Sequence, residues 1–464
     1  MNRFRTFCLF LSSTLFINTV TTSCTKWLEV KSDDRVLESE LYSTPQGFAT
    51  ALNGLYLGLA ENDLYGQKLT ATTFDILAQY YVTTDANNTH TYRGLGNYDK
   101  EALNRELSGI WKSAYTLIAN DNRFLEYLDS EYANVLAPEA RVGMMAQALG
   151  LRALLHFELF TIWDDIPYET TSAPVVQEIL PQDSVAKLIL RDLGRAERLC
   201  MEHPTTEGIS SLRISLLSLR ALTARVALYV GDKEMALRYA RMVVEEAPPH
   251  FHLATRAEVT GEGRTGSVGR NAEDRVFSSE ILFGVYHSRR TEDIYHAFFS
   301  PRADSRKLLH LTAAGLRSLY PYEQDLRLYR WQYLSNAQGE RDPYLVLYGE
   351  VSDNGSGSAY LIPVIRLSEM YLIIAECEQS VRELNLLRTA RKIPQLQVHE
   401  TFSMDKLTEE YAREFAGEGQ LFRYYKRRGI KEIPILHTPG HKPAVVPEYL
   451  YHPSLPSHEV YPRH

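Results

Sequence analysis

The fold is decided by residues 216–244, which read LLSLRALTARVALYVGDKEMALRYARMVV. The first half has apolar residues at three- and four-residue spacing, which is the period of a helix with one buried face. Gly231 ends that helix, and Asp232 is a suitable N-cap for a second one. Ala236 and Ala240 are small and let the two helices approach closely. The pattern is typical of the helix–turn–helix unit of a tetratricopeptide repeat (TPR), with an unrelated helical hairpin as the alternative.

Other segments on both sides of this unit show the helical period as well. The clearest sets of residues on one helix face are Leu107, Trp111, Tyr115, Ile118 and Asn122, and then Leu149, Ala153, Phe157 and Phe160. From about residue 247 to 363 the pattern changes to a Gly-rich loop at 261–269 and short predicted strands at 281–285, 326–333 and 345–348. Helices return at 366–377 and around 405–417, and a proline-rich tail from Pro434 predicts an ordered wrap or a terminal tail without a helix.

The composition is that of an ordinary globular protein. The 464 residues are 44% hydrophobic and 23% charged, which excludes long disordered tracts. The formal charge of −8 disfavours a nucleic-acid binder, which needs a broad basic face. Tyrosine is abundant, with 29 Tyr against 17 Phe and 4 Trp. This count fits either a wet recognition surface or tyrosines at the boundary of a helical core, because the ring is apolar and its tip polar.

Residues 1–23 have the pattern of a cleaved export signal, with Arg3 and Arg5, a short apolar run and then small residues. Cys24 follows directly, as in a bacterial lipobox, and is the predicted lipidation site; a plain secretory signal with an incidental cysteine is the alternative. Removal of the signal takes away two arginines, so the formal charge changes from −8 to −10. This charge favours a neutral or basic ligand over a highly anionic polysaccharide. The internal Cys200 and Cys377 are expected to be buried free thiols, although a bridge between them is possible.

Enzyme signatures are weak or absent in the sequence. The segment 261–266 fits G-x-G-x-x-G, but it lacks the preceding strand and following helix of a nucleotide site. The histidines show no metal-ligand spacing. Glu369 and Glu376 share one helix face, and ion pairing is favoured over a carboxylate site. The same interpretation applies to Arg413, Glu414, Glu418 and Arg423. The sequence therefore predicts no catalytic residue, no cofactor and no metal site.

Several segments together resemble the SusD/RagB family of outer-membrane nutrient-binding lipoproteins of the Bacteroidetes. The resemblance is carried by FATALNGLY at 48–56, LYG at 64–66, WKSAY at 111–115, LRA at 151–153, HFEL at 156–159, IRLSEMYLIIAE at 365–376, REFAGEG at 413–419 and the close from Leu455-Pro456 to Glu459. These motifs stand in family order from about residue 27 to the end. The chain departs from the family in a short connection after Glu376 and in its compact length.

The resemblance implies a mainly α fold, in which TPR-like helix pairs form a scaffold and an irregular, loop-rich region carries a few short strands. After a signal peptide at 1–23, it implies one domain over 24–464. That domain comprises helical pairs over about 40–250, a loop and short-strand region over about 251–365, and C-terminal helices with a proline-rich close over 366–464. It implies a surface-exposed lipoprotein of the outer membrane, attached through its lipid anchor only. Its role in polysaccharide utilization would be to capture oligosaccharide and deliver it to a SusC-like TonB-dependent transporter. Peptides or protein fragments are the alternative ligand.

Two regions are candidates for the ligand site, because sugar rings need flat aromatic faces and polar partners for their hydroxyls. One is the Gly-punctuated segment 91–98, and the other lies in the mixed region. The candidate residues are Tyr92, Arg93, Asn97 and Tyr98 in the first region, and Tyr295 and Trp331 in the second. Strand alternation places Trp331 on one face of its strand but does not determine whether that face is buried. A scaffold role is the alternative for each aromatic residue.

Overall fold

The computed structural model describes residues 38–84, 87–173, 178–203, 210–262, 273–335, 341–350, 358–397 and 402–456. Several features named above lie outside the described residues. They are the predicted export signal, Cys24, most of the Gly-rich segment and Glu459. Within the described ranges, no helix combines the length and the apolar character needed to cross a membrane.

The described part of the chain is mainly α-helical, as the sequence predicts. The helices in chain order are α1 Glu38–Leu41, α2 Pro45–Gly58, α3 Thr73–Leu77, α4 Arg93–Gly96, α5 Lys100–Leu128, α6 Pro138–Trp163, α7 Gln182–Glu202, α8 Leu216–Tyr229, α9 Lys233–Glu246, α10 Arg256–Thr260, α11 Ala313–Leu319, α12 Leu367–Glu378, α13 Val381–Ala390, α14 Met404–Glu414, α15 Leu421–Arg427 and α16 Glu448–Tyr451. A π-helix spans Thr291–Phe299.

Helices α8 and α9 form the predicted helix–turn–helix unit. Gly231 has a φ of +87°, a conformation that favours glycine, and it ends the turn after α8. The Asp232 carboxylate then accepts a hydrogen bond from the N–H of Met235 at 2.9 Å and caps α9. Ala236 and Ala240 are fully buried, so α9 packs closely on both α8 and α12. Consecutive helices from α5 to α9 contact one another in the same way, which gives the TPR-like scaffold.

The short strands pair two by two and antiparallel within the described ranges. The pairs are β1 Ile166–Pro167 with β2 Ile179–Leu180, β3 Ile281–Tyr286 with β6 Leu361–Arg366, β4 Trp331–Ser335 with β5 Arg341–Leu345, and β7 Glu432–Ile433 with β8 Ala444–Val445. The strand predicted at 281–285 is confirmed by β3.

Two strand predictions are wrong in part. The first half of 326–333 is a 3₁₀-helix, Leu326–Arg330, and only its end joins β4. Asp325 starts this turn by accepting a hydrogen bond from the N–H of Arg327 at 3.0 Å. The strand predicted at 345–348 ends at its first residue, because β5 stops at Leu345. Arg327 and Arg330, which belong to this 3₁₀-helix, both form buried ion pairs.

A network of buried ion pairs joins β6 to the C-terminal helices. The Nε of Arg366 donates to Glu418 at 2.8 Å, and its Nη1 donates to Glu414 at 2.7 Å. Arg391 donates to both oxygens of Glu280, at 2.6 and 2.8 Å. Although burial raises the pKa of Glu414, the attraction of Arg391 and Arg366 leaves that pKa well below the ordinary carboxyl value. The predicted ion pairing of Glu414 and Glu418 is confirmed.

The other predicted ion pairs are also present, and the two internal cysteines do not form a disulfide. Glu369 accepts from Arg225 at 2.6 Å, and Glu376 accepts from Arg427 at 2.6 Å, so both carboxylates are paired. Cys200 and Cys377 are free, which confirms that part of the prediction. Both are half-buried rather than fully buried, and desolvation raises the pKa of each thiol to about 11.

Candidate ligand-binding cleft

A cleft of about 300 Å³ opens between the π-helix, the loop that follows it, strand β4 and the loop after β5. Its lining residues are Arg275, Tyr295, His296, Ser300, Pro301, Arg302, Gln332, Val346, Gly349 and Glu350. The volume lies at the lower end of the range of about 300–1,000 Å³ that is typical of small-ligand sites. Most of the lining is polar, which suits a hydrated ligand.

His296 lies at the centre of the polar lining, with its side chain 10% exposed. Its Nδ1 is 3.1 Å from the hydroxyl of Ser300. Its Nε2 is 3.3 Å from Oε1 of Glu350 and 3.2 Å from Nη1 of Arg302. Because a guanidinium only donates and a carboxylate only accepts, a neutral imidazole satisfies one of these two partners at a time. His296 therefore leaves either Arg302 or Glu350 in need of another partner.

The two arginines of the cleft are held differently. Arg275 is anchored, since its Nε donates to Glu273 at 2.9 Å and its Nη1 donates to the carbonyl of Val346 at 3.3 Å. Arg302 has a side chain that is 69% exposed and lies 3.9 Å from Glu350. Within the described part of the chain, the Nε and Nη2 of Arg302 make no hydrogen bond. These two donors are available to a ligand.

Buried Arg330 holds the walls of the cleft together. Its Nε donates to the carbonyl of Arg275 at 3.0 Å, and its own carbonyl accepts from the N–H of Val346 at 2.7 Å. The next residues form β4, in which Trp331 points inward and Gln332 points outward into the cleft. This alternation is that of an ordinary strand.

The structure brings the two predicted regions together around the π-helix. Tyr295 is half-buried and lines the cleft, and burial raises the pKa of its phenol. Tyr92 contacts the same π-helix, with its ring centroid 6.1 Å from that of Phe298. Arg93 and Asn97 are exposed on the short turn of α4 and at its end, outside the cleft lining.

Tyr98 and Trp331 are buried, each 7% exposed. The hydroxyl of Tyr98 donates to the carbonyl of Leu77 at 3.0 Å. The ring of Trp331 packs in the hydrophobic core, with its centroid 6.5 Å from that of Tyr320. Neither ring presents a face to the cleft in this conformation. Periodicity shows which residues share a face, but the inward face is chosen by packing with distant segments.

Sequence reasoning missed most of the polar lining. The missed residues are Arg275, His296, Ser300, Arg302, Gln332 and Glu350. Two of them had a local signal, since His296 follows Tyr295 and Gln332 follows Trp331 in the sequence. The others come from three loops, with Ser300 and Arg302 in the same one, and only the tertiary structure brings these loops to one cavity.

The scaffold of TPR-like helix pairs and the polar cleft define a ligand-binding protein built on helical repeats. Comparison with known families identifies the class more closely. A family model described as starch-binding, associating with the outer membrane, matches residues 26–198, and the SusD family model matches residues 330–432. The chain belongs to the SusD/RagB family.

Individual relatives are distant in sequence, and the solved structures among them are similar in fold. A SusD-like protein of Formosa agariphila is 24% identical over 250 residues, which are 51% of this chain and 46% of that protein. The match thus spans about half the length of that relative. A SusD superfamily protein from Bacteroides thetaiotaomicron VPI-5482 has a TM-score of 0.72 at 19% identity, covering 90% of this chain and 97% of that one. Surface glycan-binding protein A from Bacteroides thetaiotaomicron, in complex with laminarihexaose, has a TM-score of 0.64 at 18% identity, covering 88% and 93%.

Proposed function

We propose that this protein is a surface lipoprotein that captures oligosaccharide in the cleft and delivers it to a SusC-like TonB-dependent outer-membrane transporter. The observation that carries the proposal is the cleft, where the half-buried ring of Tyr295 adjoins the polar groups of Gln332, Ser300 and Arg302. A sugar ring stacks its C–H face on an aromatic ring, while polar side chains replace the water lost from its hydroxyls. The mechanism is binding and hand-over without covalent chemistry. The related protein solved with laminarihexaose supports a carbohydrate ligand.

The residues predicted from the sequence have different roles in this proposal. Tyr295 contacts the sugar directly. Tyr92, Arg93 and Asn97 are proposed to reach the outer units of a longer oligosaccharide, because their segment packs against the same π-helix. Tyr98 and Trp331 are proposed to act indirectly, since their buried rings support the neighbouring turn and strand β4.

Attachment to the outer membrane is proposed to occur through acyl chains on Cys24. Each buried methylene of an acyl chain contributes about 0.8 kcal/mol to membrane binding, so removal of the acylated cysteine is expected to remove the anchor. Cys24→Ala is expected to move the protein from the membrane fraction to the soluble fraction of cells. Cys200→Ala is the matched control, because Cys200 is a half-buried internal thiol. Retention of the Cys24→Ala protein in membranes would overturn the proposed anchor. Co-purification of the anchored protein with a transporter barrel tests the proposed partner.

The ligand class is tested by calorimetric titration of the purified protein with a panel of oligosaccharides and a panel of peptides. Binding of an oligosaccharide that Tyr295→Ala weakens at least about tenfold is the expected result. Tyr132→Ala, which removes an exposed tyrosine elsewhere on the molecule, is the matched control. Binding of peptides alone would favour the alternative ligand, and binding of neither by folded protein would overturn the proposed function.

A further inference from the structure

The cleft contains charged groups that are not all paired. Its described lining residues include two guanidinium groups, Arg275 and Arg302, and a single carboxylate, Glu350. The sequence as a whole has a formal charge of −8. Arg275 is paired with Glu273 at 2.8 Å, whereas Arg302 has no carboxylate within hydrogen-bond distance in the described part of the chain. The overall charge favours a neutral or basic ligand, but the charge of Arg302 remains available to an anionic group.

Arg302 offers unengaged hydrogen-bond donors to a ligand in the cleft. Arg302 has two unengaged donor nitrogens, and a guanidinium cannot accept a hydrogen bond. A sugar hydroxyl can accept a hydrogen bond from this fork through its single oxygen, but it adds no charge and cannot bind the fork with two oxygens. The oxygens of a carboxylate or a sulfate group only accept, and their planar or forked arrangement matches the guanidinium fork. The exposed edge of Arg302 is therefore better matched to an anionic group than to a hydroxyl.

Glu350 is a loose counter-ion for this arginine. Its side chain is 60% exposed and lies 3.9 Å from Arg302, beyond hydrogen-bond distance. Its closer contact is His296, at 3.3 Å, and that ring cannot serve both Arg302 and Glu350 while it is neutral. An anionic group of a ligand can therefore bind Arg302 while Glu350 keeps its contact with His296.

We propose that the ligand of the cleft is an acidic oligosaccharide, in which a carboxylate or sulfate group binds Arg302 and the adjoining sugar ring stacks on Tyr295. The inference rests on the proposed glycan-binding function. It makes Arg302 a specificity-determining residue and makes Glu350 a residue that opposes binding by charge repulsion.

Pairs of ligands that differ in charge alone test this inference. An oligogalacturonide is compared with its carboxyl-reduced form, and a sulfated oligosaccharide is compared with its desulfated form, by calorimetry at low and moderate salt. The expected result is that one charged member binds at least about tenfold more tightly than its neutral twin. The preference should weaken as salt screens it. The two pairs also decide whether the recognised group is a carboxylate or a sulfate.

Opposite effects of two substitutions separate recognition from general damage to the cleft. Arg302→Gln is expected to weaken binding of the charged ligand about tenfold or more and to weaken its neutral twin much less. Glu350→Gln is expected to strengthen the same binding, because it removes the lining carboxylate. Arg289→Gln is the matched control, since Arg289 is exposed and pairs with Asp293 outside the cleft lining.

The outcomes distinguish this inference from the proposed function. Equal binding of the charged ligand and its neutral twin would overturn the acidic-ligand inference without contradicting glycan capture. A loss of affinity in both Arg302→Gln and Glu350→Gln would also overturn it. Failure to bind every oligosaccharide in the panel would overturn the proposed function and the inference with it.

Discussion

Arg330 and Glu418 form a buried ion pair, with Nη1 of the arginine 3.1 Å from Oε1 of the carboxylate. The same arginine donates to the carbonyl of Arg275 in the cleft wall. The other oxygen of Glu418 accepts from Arg366 at 2.8 Å. The geometry of the cleft therefore depends on the ionic network beneath it.

The loop that carries Glu418 is fixed from the N-terminal half of the chain. The carboxylate of Asp75 accepts hydrogen bonds from the N–H groups of Gly417 and Gly419, at 2.7 and 3.1 Å. These glycines have φ values of +84° and +66°, which side chains with a Cβ rarely adopt. The Gly-Glu-Gly run is therefore required to bring Glu418 between two arginines.

Glu418→Gln is expected to destabilise the fold by about 3–5 kcal/mol, because it leaves buried guanidinium groups without their full counter-charge. Chemical denaturation of the purified variant measures the change in the free energy of unfolding. The control is Glu409→Gln, whose partner is Arg413 at 2.9 Å and whose side chain is 59% exposed. That change is expected to cost less than about 1 kcal/mol. Equal effects of the two changes would contradict the prediction.

Stability is expected to fall in mild acid because of His156. Its Nδ1 donates to the carbonyl of Arg152 at 2.9 Å, and its Nε2 accepts from the N–H of Glu169 at 3.0 Å, so the native ring is neutral. Burial lowers the pKa of His156 from 6.5 to about 3. Between these two values the unfolded chain binds the additional proton. The contribution of His156 to stability is thus lost as the pH falls below about 6.5, at up to about 1.4 kcal/mol per pH unit.

The slope of unfolding free energy between pH 7.5 and pH 5.0 tests this prediction. His156→Gln should have a shallower slope than the unsubstituted protein, whatever its stability at pH 7.5. His203→Gln, at an exposed position, should keep the original slope. An unchanged slope in the His156 variant would show that its protonation does not contribute.

Trp331→Ala and Tyr295→Ala are expected to act on different properties. Trp331 is buried in the core, so its truncation should cost about 3–5 kcal/mol of stability. Tyr295 is half-buried at the cleft, so its truncation should lower ligand affinity and cost less than about 2 kcal/mol of stability. Denaturation and ligand titration of both variants provide the test. A ligand-specific effect of Trp331→Ala at full stability would contradict the assigned roles.

The close packing of the helical pair can be tested at Ala240, which is fully buried between α9 and its neighbours. Ala240→Leu should destabilise the protein by about 1–3 kcal/mol, because the helices cannot separate without loss of contacts. Arg238→Leu adds a leucine to the exposed face of the same helix and is the control. A neutral Ala240→Leu variant would show that the contact between the helices is loose.

The sequence was most informative where structure depends on neighbours along the chain. The apolar period and the cap at Asp232 follow from spacing within a single element, and both are present. Glu369 and Glu376 are ion-paired as expected, but their partners Arg225 and Arg427 lie on other helices. The segment 326–333 was predicted as one strand, whereas Leu326–Arg330 form a 3₁₀-helix before β4, with Asp325 as its N-cap.

By itself, the sequence determined the helical pairs and the family, because each depends on local patterns or on ordered motifs. It favoured free thiols at Cys200 and Cys377 but left a bridge between them possible, and the structure decided this. Only the tertiary structure decided the inward orientation of Trp331 and the outward orientation of Gln332. It also brought Arg302, His296 and Glu350 into one cavity. The physical reason is that periodicity defines the faces of an element, whereas burial and charge at a site depend on which distant segments pack against those faces.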